Sequence, residues 1–537
     1  MRYHVEEFTP EETAVLNRFF TNTDLPVFGL VNLPEVVKGA LFARYSRSSK
    51  SIRRLFLDEF TDPATGVAAI AAAADDPIVD MSKAEQLYQR VFVEYGDDSV
   101  AQLGGTHLAC EQASNILTKV LEWGRLAAYL EQSTRYIFYD TTVDGRYRYT
   151  IPPEIETGPL GVEYVSHLDW MFETYSTLVR DMKSTYERRF PKEAADPPVV
   201  YNATIRAKAC DAARGLLPAA TLSNVGIYGT GQAYEMALVR MASHPLAEIR
   251  DYGDMMLGEL RKVIPSFLTR VDKPQRGRQW SAYLADVAER LDAHGALLGT
   301  EAEYGPSVRL TDFDPDAEIK LAAAALYAHS ELSDGALQEI AHKMTADERA
   351  TVIADLIGDR ENRRHKPGRP MERSAYRFDV VCDFGAFRDL QRHRLMTIEW
   401  QRLSTRLGFD NPPDIFDAGH GDAWTEAMTR SADMYEKVRE THGSDVAQYV
   451  VPFAANIRFV MQMNARQAYH LIELRSQPAG HSAYRRVAHE MHRLIADQAG
   501  HRVIADGMRF VDHSDVDLER LEAERAAERR RTERISG

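Results

Sequence analysis

Three consecutive residues that can carry positive charge, Arg392, His393 and Arg394, stand in the segment DLQRHRLMT, which has a helical pattern. Neighbouring residues on a helix point about 100° apart, so the three side chains cannot share one solvated face. At a helix end that meets a subunit boundary, they could hold a phosphate-rich molecule from several sides, because guanidinium groups bind phosphate through paired N–H donors. A solvated charged stretch is the alternative explanation for the triplet taken alone.

A stripe of polar residues follows downstream in MNARQAYHLIELRSQPAGHSAY, formed by Asn464, Arg466, His470 and Arg475. The spacing of these residues is close to helical, so they can line one long face of a helix whose other residues are apolar. Burying such a stripe without partners is costly. The pattern therefore indicates either a ligand site or a set of polar groups satisfied within the protein.

A third group lies in the first half of the chain, in YLEQSTRY. Glu131, Ser133 and Arg135 alternate with other residues, as in an extended loop that projects them to one side. A carboxylate acceptor, a hydroxyl and a bidentate donor together suit a nucleoside monophosphate. Arg214, just before LLP, is a further cation without an acidic neighbour in sequence. An ordinary surface loop remains the alternative for EQSTRY.

The elements that must position these groups are mostly helical in pattern, since apolar residues recur at three- and four-residue spacing. Helices are predicted over residues 99–129, 163–188, 203–216, 233–263, 424–439, 464–474 and 484–498. Strands are predicted over residues 376–382 and 146–151. Polar stretches rich in Pro and Gly, residues 273–278 and 300–315, read as boundaries.

An internal repeat explains the length of 537 residues better than two unrelated domains do. Residues 39–60 resemble residues 321–344, and residues 213–240 resemble residues 447–475, which pairs Pro218 with Pro452. Each half has an arginine-bearing helix end between these blocks. We therefore predict a first repeat over residues 1–299, a second over residues 300–515 and a charged helical tail over residues 516–537.

Composition indicates a soluble globular protein, with 44% hydrophobic and 27% charged residues. A net charge of −15 argues against a general binder of nucleic acid or of anionic membranes. The three cysteines, Cys110, Cys210 and Cys382, form no CxxC pair, so we expect neither a disulfide framework nor a metal site. The N-terminus lacks signal-peptide features and no apolar run is long enough for a membrane span, so a cytoplasmic location is expected.

These segments resemble the flavin-dependent thymidylate synthases. That family has an Arg-His-Arg triplet, a Glu-x-Ser-x-Arg-Tyr loop, an Ala-Arg-x-x-Leu-Pro segment and an Asn-x-Arg…Leu-Arg helix. All four elements occur in this chain, but neither half has them all. The second half has the triplet and the helix, whereas its loop, IEWQRLSTRL, has Ser404 and Arg406 displaced by two residues and no matching Glu or Tyr, and Gln448 replaces the arginine before the proline.

The first half shows the opposite pattern. It keeps the loop and Arg214, but its triplet reads Trp123, Gly124 and Arg125, and its helix has Thr230, Gln232 and Met241 at the Asn, first Arg and last Arg positions. It also carries GDDS, ending at Ser99, as an echo of the family's Gly-His-x-Ser segment. The losses in the two halves are complementary, and adding the halves restores nearly a full set.

The resemblance implies an α+β fold with two tandem copies of a flavin-dependent thymidylate synthase-like domain, each with long helices packed on a mainly antiparallel sheet. It implies reductive methylation of dUMP to dTMP, with FAD as cofactor and with methylenetetrahydrofolate and NADPH as co-substrates. Family members build their sites between subunits and are usually homotetramers, so we expect a homodimer that holds four repeats.

The residue roles follow from the same resemblance. Arg475 would be the catalytic cation beside the uracil ring, and it would also contact the substrate. The cofactor would be held by Arg392, His393, Arg394, Asn464, Arg466, His470, Glu372 and Ser99. The nucleotide would be held by Glu131, Ser133, Thr134, Arg135 and Arg214. Two alternatives stay open: a related flavoenzyme acting on another pyrimidine nucleotide, and a flavin- or nucleotide-binding homologue without turnover.

Overall fold

A computed structural model of the chain describes residues 3–60, 102, 104–193, 196–298, 307–478 and 480–514. The chain divides into two compact units. Unit 1 comprises Met1–Met182, Ala212–Glu301 and Asp417–Pro452, and unit 2 comprises Lys183–Asp211, Ala302–Phe416 and Phe453–Gly537. Each unit therefore contains one segment from the sequence half that supplies most of the other unit.

The first half of the sequence alternates short strands with helices. Its strands are β1 (Val27–Leu30), β2 (Gly105–Ser114), β3 (Ala127–Glu131) and β4 (Leu222–Thr230). Its helices are α1 (Pro10–Leu16), α2 (Glu35–Tyr45), α3 (Ile52–Phe60), α4 (Asn115–Leu121), α5 (Pro153–Glu156), α6 (Gly161–Arg189), α7 (Pro198–Ala213), α8 (Gly231–Ala242), α9 (Ala247–Arg261) and α10 (Gln279–Gly295). Short turns of 3₁₀ or π helix cover Arg214–Leu216, Pro265–Leu268 and Pro274–Arg278.

The second half repeats this alternation. Its strands are β5 (Val308–Phe313), β6 (Ala375–Asp383), β7 (Thr397–Trp400) and β8 (Asn456–Asn464). Its helices are α11 (Ala317–Tyr327), α12 (Asp334–Lys343), α13 (Ala346–Ile357), α14 (Phe384–Leu390), α15 (Pro413–Asp417), α16 (Gly421–His442), α17 (Ser444–Ala447), α18 (Ala465–Arg475), α19 (Ser482–Asp497) and α20 (Arg502–Asp506). The turns Arg369–Arg373 and Gln448–Val450 are 3₁₀ helices.

Each half contributes one four-stranded antiparallel sheet, and the two sheets have the same topology. The strand orders are β1-β2-β4-β3 and β5-β6-β8-β7. In each sheet the two central strands pair along most of their length, and a helix follows each of them directly. Equal strand order around equally placed helices confirms the predicted α+β fold with two copies of one domain.

The two prolines that anchor the sequence repeat occupy equivalent positions. Pro218 lies between the 3₁₀ turn Arg214–Leu216 and β4, and Pro452 lies between the turn Gln448–Val450 and β8. Each proline precedes its strand by four residues, since 222 − 218 = 4 and 456 − 452 = 4. Within unit 1 they also pair with each other in an antiparallel bridge.

Three of the predicted elements need correction. The described part of the helix predicted over residues 99–129 is β2, α4 and β3. Because β2 pairs on both sides and is largely buried, its short apolar stretch has no clean alternation, and periodicity cannot separate such a strand from a buried helix. The strand predicted over residues 146–151 forms only isolated bridges, and the helix predicted over residues 233–263 is divided into α8 and α9 near Pro245.

The core of each unit is apolar, and the three cysteines take part in it. Cys110, Cys210 and Cys382 are free and buried. No helix among the described residues is long and apolar enough to cross a membrane. The same residues contain no cluster of His, Cys, Asp and Glu suited to a metal ion. The charged tail over residues 516–537 lies outside the described residues.

Candidate functional site

Helix α14 sets the position of the Arg392-His393-Arg394 triplet. Asp383 caps the helix, since its carboxylate accepts a hydrogen bond from the Ala386 N–H at 2.9 Å. The helix ends at Leu390 and the triplet follows in the turn before β7. His393 points inward and is only 6% exposed, whereas Arg392 and Arg394 are exposed.

The polar stripe lies on α18, as its spacing predicted. Asn464 is the N-cap of this helix, and its side-chain oxygen accepts from the Gln467 N–H at 2.9 Å. Arg466 donates to the Pro367 carbonyl at 2.9 Å and to Glu372 Oε1 at 3.2 Å. The structure therefore places Glu372 beside the stripe, and it gives the Asn464 oxygen a local role in the helix.

The centre of the cluster is a hydrogen bond between Arg475 and His393. Arg475 Nε donates to His393 Nε2 at 2.9 Å. Arginine has no lone pair to offer, so the imidazole accepts at Nε2. The side-chain nitrogen of Gln467 lies 3.4 Å from His393 Nδ1. The His470 ring lies 5.4 Å away, edge to face. Triplet and stripe thus meet inside unit 2 around one neutral histidine.

The electrostatics of this cluster show an excess of positive charge. Burial and then the charges of Arg475 and His470 hold the pKa of His393 well below its usual range. Burial and then Lys366 and Arg363 lower the pKa of His470 to about 4. The pKa of Lys366 is itself lowered by burial and by the neighbouring cations Arg466 and Arg363. Cations that repel one another in this way make a site for an anion.

Arg475 is held in one orientation. Besides His393, its guanidinium donates to the backbone carbonyl of Asp389 and lies 3.7 Å from the Asp389 carboxylate. The Tyr484 ring lies 5.4 Å from the guanidinium carbon. Its side chain is 15% exposed. A cation fixed on several sides can stabilise negative charge without reorganising when that charge develops.

A basic loop borders the cluster (residues 359–373, DRENRRHKPGRPMER). Arg360 anchors it to α18 through a bidentate pair with Glu473, both bonds being 2.6 Å long. The two side chains are 3% and 1% exposed. The remaining cations of the loop are Arg363, Arg364, Lys366, Arg369 and Arg373. This anchor brings the loop's positive charge next to the triplet and the stripe.

The first half fills the corresponding place with other side chains. Counting from the capped starts of α4 and α14, Trp123 and Gly124 stand at the positions of Arg392 and His393. Tyr129 donates to the Gly124 carbonyl at 3.1 Å, and a Cβ at Gly124 would lie 2.5 Å from the Tyr129 hydroxyl. The Arg240 guanidinium lies 5.2 Å over the Trp123 ring. A larger side chain at this position would therefore require the Tyr129 phenol to move.

The nucleotide loop of the first half combines buried and accessible groups. Glu131 is 3% exposed and lies 3.3 Å from Lys119, which also contacts Glu122 at 2.8 Å. Thr134 is also buried, whereas Ser133 and Arg135 are partly exposed. The Arg135 N–H donates to the Ser133 hydroxyl at 3.3 Å.

The displacement of the loop in the second half has a clear geometry. Gln132 follows β3 and its N–H donates to the Asn224 carbonyl at 2.8 Å; Gln401 follows β7 and its N–H donates to the Arg458 carbonyl at 2.9 Å. These bonds align Gln132 with Gln401, so Trp400 stands where the first half has Glu131. Two further residues, Arg402 and Leu403, then separate Gln401 from Ser404.

The arginine before the proline is buried. Arg214 begins its 3₁₀ turn and is 4% exposed. Among the described residues, no hydrogen-bond acceptor contacts its Nη2. Gln448 begins the equivalent turn of the second half. A buried guanidinium nitrogen without an acceptor is costly, so this position favours an anionic or carbonyl-bearing ligand.

Comparison with known proteins gives the family. The model of the thymidylate synthase complementing protein family matches residues 42–266 and 309–499. The chain belongs to this family. The two matched segments cover both halves, in agreement with the repeated sheet topology. Membership supports a thymidylate synthase-like nucleotide methylase.

Known relatives match this chain over nearly its whole length. The chain is 39% identical to a UPF0159 protein of Chlamydia muridarum, over 96% of this chain and 98% of that protein. It is 31% identical to a UPF0159 protein of Thermoplasma acidophilum, over 91% of this chain and 97% of the relative. A solved UMP/dUMP methylase of Streptomyces cacaoi, bound with 5-Br dUMP, is 18% identical with a TM-score of 0.30, over 40% of this chain and 100% of that one.

Several residues of the cluster were not predicted from the sequence. Asp389, Gln467 and Tyr484 hold Arg475 or His393, and Arg363 and Lys366 supply nearby charge. The density of cations in the basic loop was a usable signal for the last two, since five arginines and one lysine occur in residues 359–373. The other three have ordinary side chains whose roles depend on packing. Ser99 lies outside the described residues.

Proposed function

We propose that the protein is an FAD-dependent thymidylate synthase, which converts dUMP to dTMP with methylenetetrahydrofolate as carbon donor and NADPH as reductant. The observation that carries the proposal is the fixed Arg475, bonded to a neutral His393 within a surplus of cations. Family membership supplies the reaction class. Where the family's residues are present in this chain, they have the chemistry that the reaction needs.

The cluster in unit 2 fits a flavin dinucleotide. Arg392, Arg394, Arg466 and the basic-loop cations would bind its diphosphate, because guanidinium groups pair with phosphate oxygens through two donors. His393 and His470, both neutral, would contact the rest of the molecule without adding charge. Glu372 would hold Arg466 in place. When bound, the flavin supplies the hydride that the reductive methylation requires.

Arg475 would act on the pyrimidine. Its guanidinium is held by His393 and Asp389, so it would face negative charge on the uracil ring as a preorganised cation. No cysteine lies among the cluster residues, and the three cysteines of the chain are buried. The proposal therefore assigns no covalent nucleophile to the protein, and the arginine acts by electrostatic stabilisation alone.

The first half would hold the nucleotide. Arg214, with its unpaired Nη2, and the accessible Arg135 and Ser133 would contact the phosphate and the base. Glu131 and Thr134 are buried, so their proposed role is to position the loop between them. In this division of labour the second half supplies the cofactor contacts and the first half the substrate contacts, within a homodimer of four repeats.

Complementation of a thymidine-requiring bacterium tests the proposal. The wild-type chain should restore growth without thymidine, and Arg475→Ala should not, because the fixed cation is lost. Arg493→Ala is the matched control, since Arg493 is an exposed arginine of unit 2 whose ion pairs within the described residues are with the surface carboxylates Glu490 and Asp497. The purified wild-type protein should show an FAD absorption spectrum and form dTMP from dUMP.

Each alternative has its own outcome. A yellow protein that fails to complement and leaves dUMP unchanged would point to a flavoenzyme acting on another pyrimidine nucleotide. A protein that binds nucleotide but has no flavin spectrum and no turnover would point to a non-catalytic homologue. Growth restored equally by Arg475→Ala would contradict the role given to that arginine.

A further inference from the structure

Unit 1 contains a cavity that the proposed reaction does not use. Its volume is about 540 Å³, within the range of small-molecule sites. Its walls come from the N-terminal segment, the start of α3, the ends of β2 and β4 and the segment after β3. Gln132 lines it, and this residue lies between Glu131 and Ser133 of the nucleotide loop. The cavity therefore shares Gln132 with the nucleotide loop, but its other lining residues lie outside that loop.

A strained β-bulge shapes this cavity. The register of β2 against β4 shifts between Cys110 and Ala113, and within the bulge Gln112 has a φ of 55°. Residues other than glycine rarely adopt this left-handed backbone conformation. Strained residues and β-bulges of this kind are common at ligand sites. The Gln112 side chain bonds both the N–H and the carbonyl of His4, at 2.8 and 2.9 Å, and so attaches the N-terminal segment as one wall.

The second repeat provides an internal comparison. Strands β6 and β8 pair without a register shift from Ala375 to Asp383, so no bulge occurs at the equivalent place. A smaller cavity of about 310 Å³ lies at that end of the second sheet. The residue aligned with Asn224 is Arg458, the third residue of β8 as Asn224 is of β4. The enlarged cavity is thus a feature of the first repeat.

Two amides in the cavity have fixed polarity. Asn224 Oδ1 accepts from the Gln112 N–H at 2.9 Å, which leaves the Asn224 NH₂ as a donor. Gln132 Nε2 donates to the Ser48 carbonyl at 2.5 Å, which leaves Gln132 Oε1 as an acceptor. No described residue bonds either remaining group. Gln132 is 2% exposed and lines the cavity, so its remaining oxygen is available to a ligand there.

The two amides act together because their residues are cross-strand neighbours. The Gln132 N–H donates to the Asn224 carbonyl, so both side chains leave the same face, with Cβ atoms roughly 5 Å apart. One acceptor beside one donor matches a planar heterocycle edge that carries an N–H next to a C=O. The phenol ring of Tyr147 lines the same space and is held against Phe172, 5.2 Å away, so it offers a rigid stacking surface.

The charged groups of the cavity favour an anionic substituent on the heterocycle. Arg53 faces Glu111 at 3.9 Å, and Lys50 pairs with Asp58 at 2.6 Å. Arg146 lines the cavity at the exposed hairpin, and none of the described carboxylates forms an ion pair with it. The other two lining arginines are also engaged, since Arg54 pairs with Glu6 and Glu12 and Arg148 donates to the Phe138 carbonyl. Arg146 is therefore the lining cation most available to a ligand anion.

We propose that this cavity is a second ligand site, which binds a nucleobase-type heterocycle with an N–H/C=O edge and an anionic substituent. Gln132 Oε1 accepts from the ring N–H, Asn224 Nδ2 donates to the ring carbonyl, and Arg146 binds the anion. The site is distinct from the proposed dUMP site, because its lining excludes Arg135, Arg214 and Arg475. Ligand bound here contacts Gln132, which lies within the loop that would carry the substrate.

Inosine 5′-monophosphate is the test ligand, because its only ring N–H stands next to its carbonyl and it is not a pyrimidine. Its binding to the full chain is measured by isothermal titration calorimetry and compared with that of 1-methylinosine 5′-monophosphate, which lacks the N–H. The first should bind at least tenfold more tightly. Inosine without phosphate should bind more weakly than the monophosphate, and Arg146→Ala should remove that difference.

Asn224→Asp tests the site from the protein side. Aspartate keeps the acceptor for the Gln112 N–H but replaces the ligand-facing donor with an acceptor, so affinity for inosine monophosphate should fall at least tenfold. Asn202→Asp, at an exposed position of α7, makes the same charge change and should have no effect. Equal binding of the two ligands, or unchanged binding to Asn224→Asp, would overturn the proposal. Arg135→Ala changes the proposed dUMP site but not the cavity, so it should leave inosine monophosphate binding unchanged; a loss of affinity equal to that of Asn224→Asp would assign the binding to the dUMP site and overturn the proposal.

Discussion

The unequal halves predict one flavin site per chain. In the first half, Trp123 and Gln232 replace the cofactor-binding arginines at positions 392 and 466. A hydrogen bond to a charged group contributes roughly 1.5–3 kcal/mol. Two such losses amount to at least about 3 kcal/mol, which lowers affinity more than about a hundredfold, since about 1.4 kcal/mol is tenfold. FAD titration followed by flavin fluorescence should therefore saturate at one FAD per chain.

A substitution that makes the second half resemble the first tests whether the lost charged contacts explain the single flavin site. Arg466→Gln gives the second half the residue that the first half has at position 232. The loss of one charged contact should weaken FAD binding roughly ten- to a hundredfold. The fold should tolerate the change, because Glu372 is partly exposed and keeps Arg369 at 3.6 Å. Arg493→Gln, at an exposed arginine of α19, is the matched control.

Two results would refute the argument for a single site. The first is saturation at two FAD per chain with similar affinities, which would mean that the Trp123 site binds flavin without the triplet. The second is unchanged affinity in Arg466→Gln, which would place the diphosphate away from α18. A loss of FAD affinity in the Arg493→Gln control as large as that in Arg466→Gln would instead show that surface charge in general attracts the cofactor.

Three further predictions concern acid stability, the basic loop and assembly. The pKa of His470 is about 4 in the folded protein against 6.5 in the unfolded chain, so below pH 6.5 the unfolded chain takes up a proton that the folded ring does not. Between pH 7 and 5 the unfolding free energy should therefore drop by about 1–2 kcal/mol more in wild type than in His470→Gln, because solvent screening reduces the full effect at this half-buried ring. Urea titration measures the difference, and parallel curves would contradict it. Arg360→Met should cost about 3–5 kcal/mol because Glu473 stays buried and unpaired, whereas Arg364→Met, at an exposed position of the basic loop, should be neutral in the same assay. Sedimentation should give a homodimer, and a stable monomer at micromolar concentration would count against the four-repeat assembly.

The sequence predicted those parts of the site that depend on local spacing. Asn464, Arg466, His470 and Arg475 follow a helical period, and α18 places them on or beside one helix as expected. The equivalence of Pro218 and Pro452 followed from the repeat and agrees with the two sheets. Periodicity and repeats are properties of short segments, and a single sequence contains them.

Properties that depend on packing were missed. Glu131 looked like an accessible acceptor, but it is buried beside Lys119, which lies on α4 and contacts it only because β3 packs there. The strand β2 looked helical because its apolar residues are buried on both faces. The bulge at Gln112 has no Gly or Pro to mark it, so neither the cavity nor its left-handed residue could be read from the sequence.

The way the first half fills its cofactor position gives physical support to a division of labour. There Gly124 makes room for the Tyr129 phenol, and Trp123 takes the Arg240 guanidinium against its ring. Trp123 is nevertheless 38% exposed, and Gln232 Oε1 and Arg240 Nε are buried without a partner among the described residues, so the position is filled only in part. Leaving such groups unpaired is costly. Over the same stretch the second half keeps His393 buried with Arg475 but extends its loop by Arg402 and Leu403. The first half retains a buried cation, and the second half retains a cluster of cations that repel one another. Each of these energetically unfavourable features lies at an element that the opposite half has lost. Such costs persist where a ligand offsets them, and the distribution of these costs is why we assign the cofactor to one half and the nucleotide to the other.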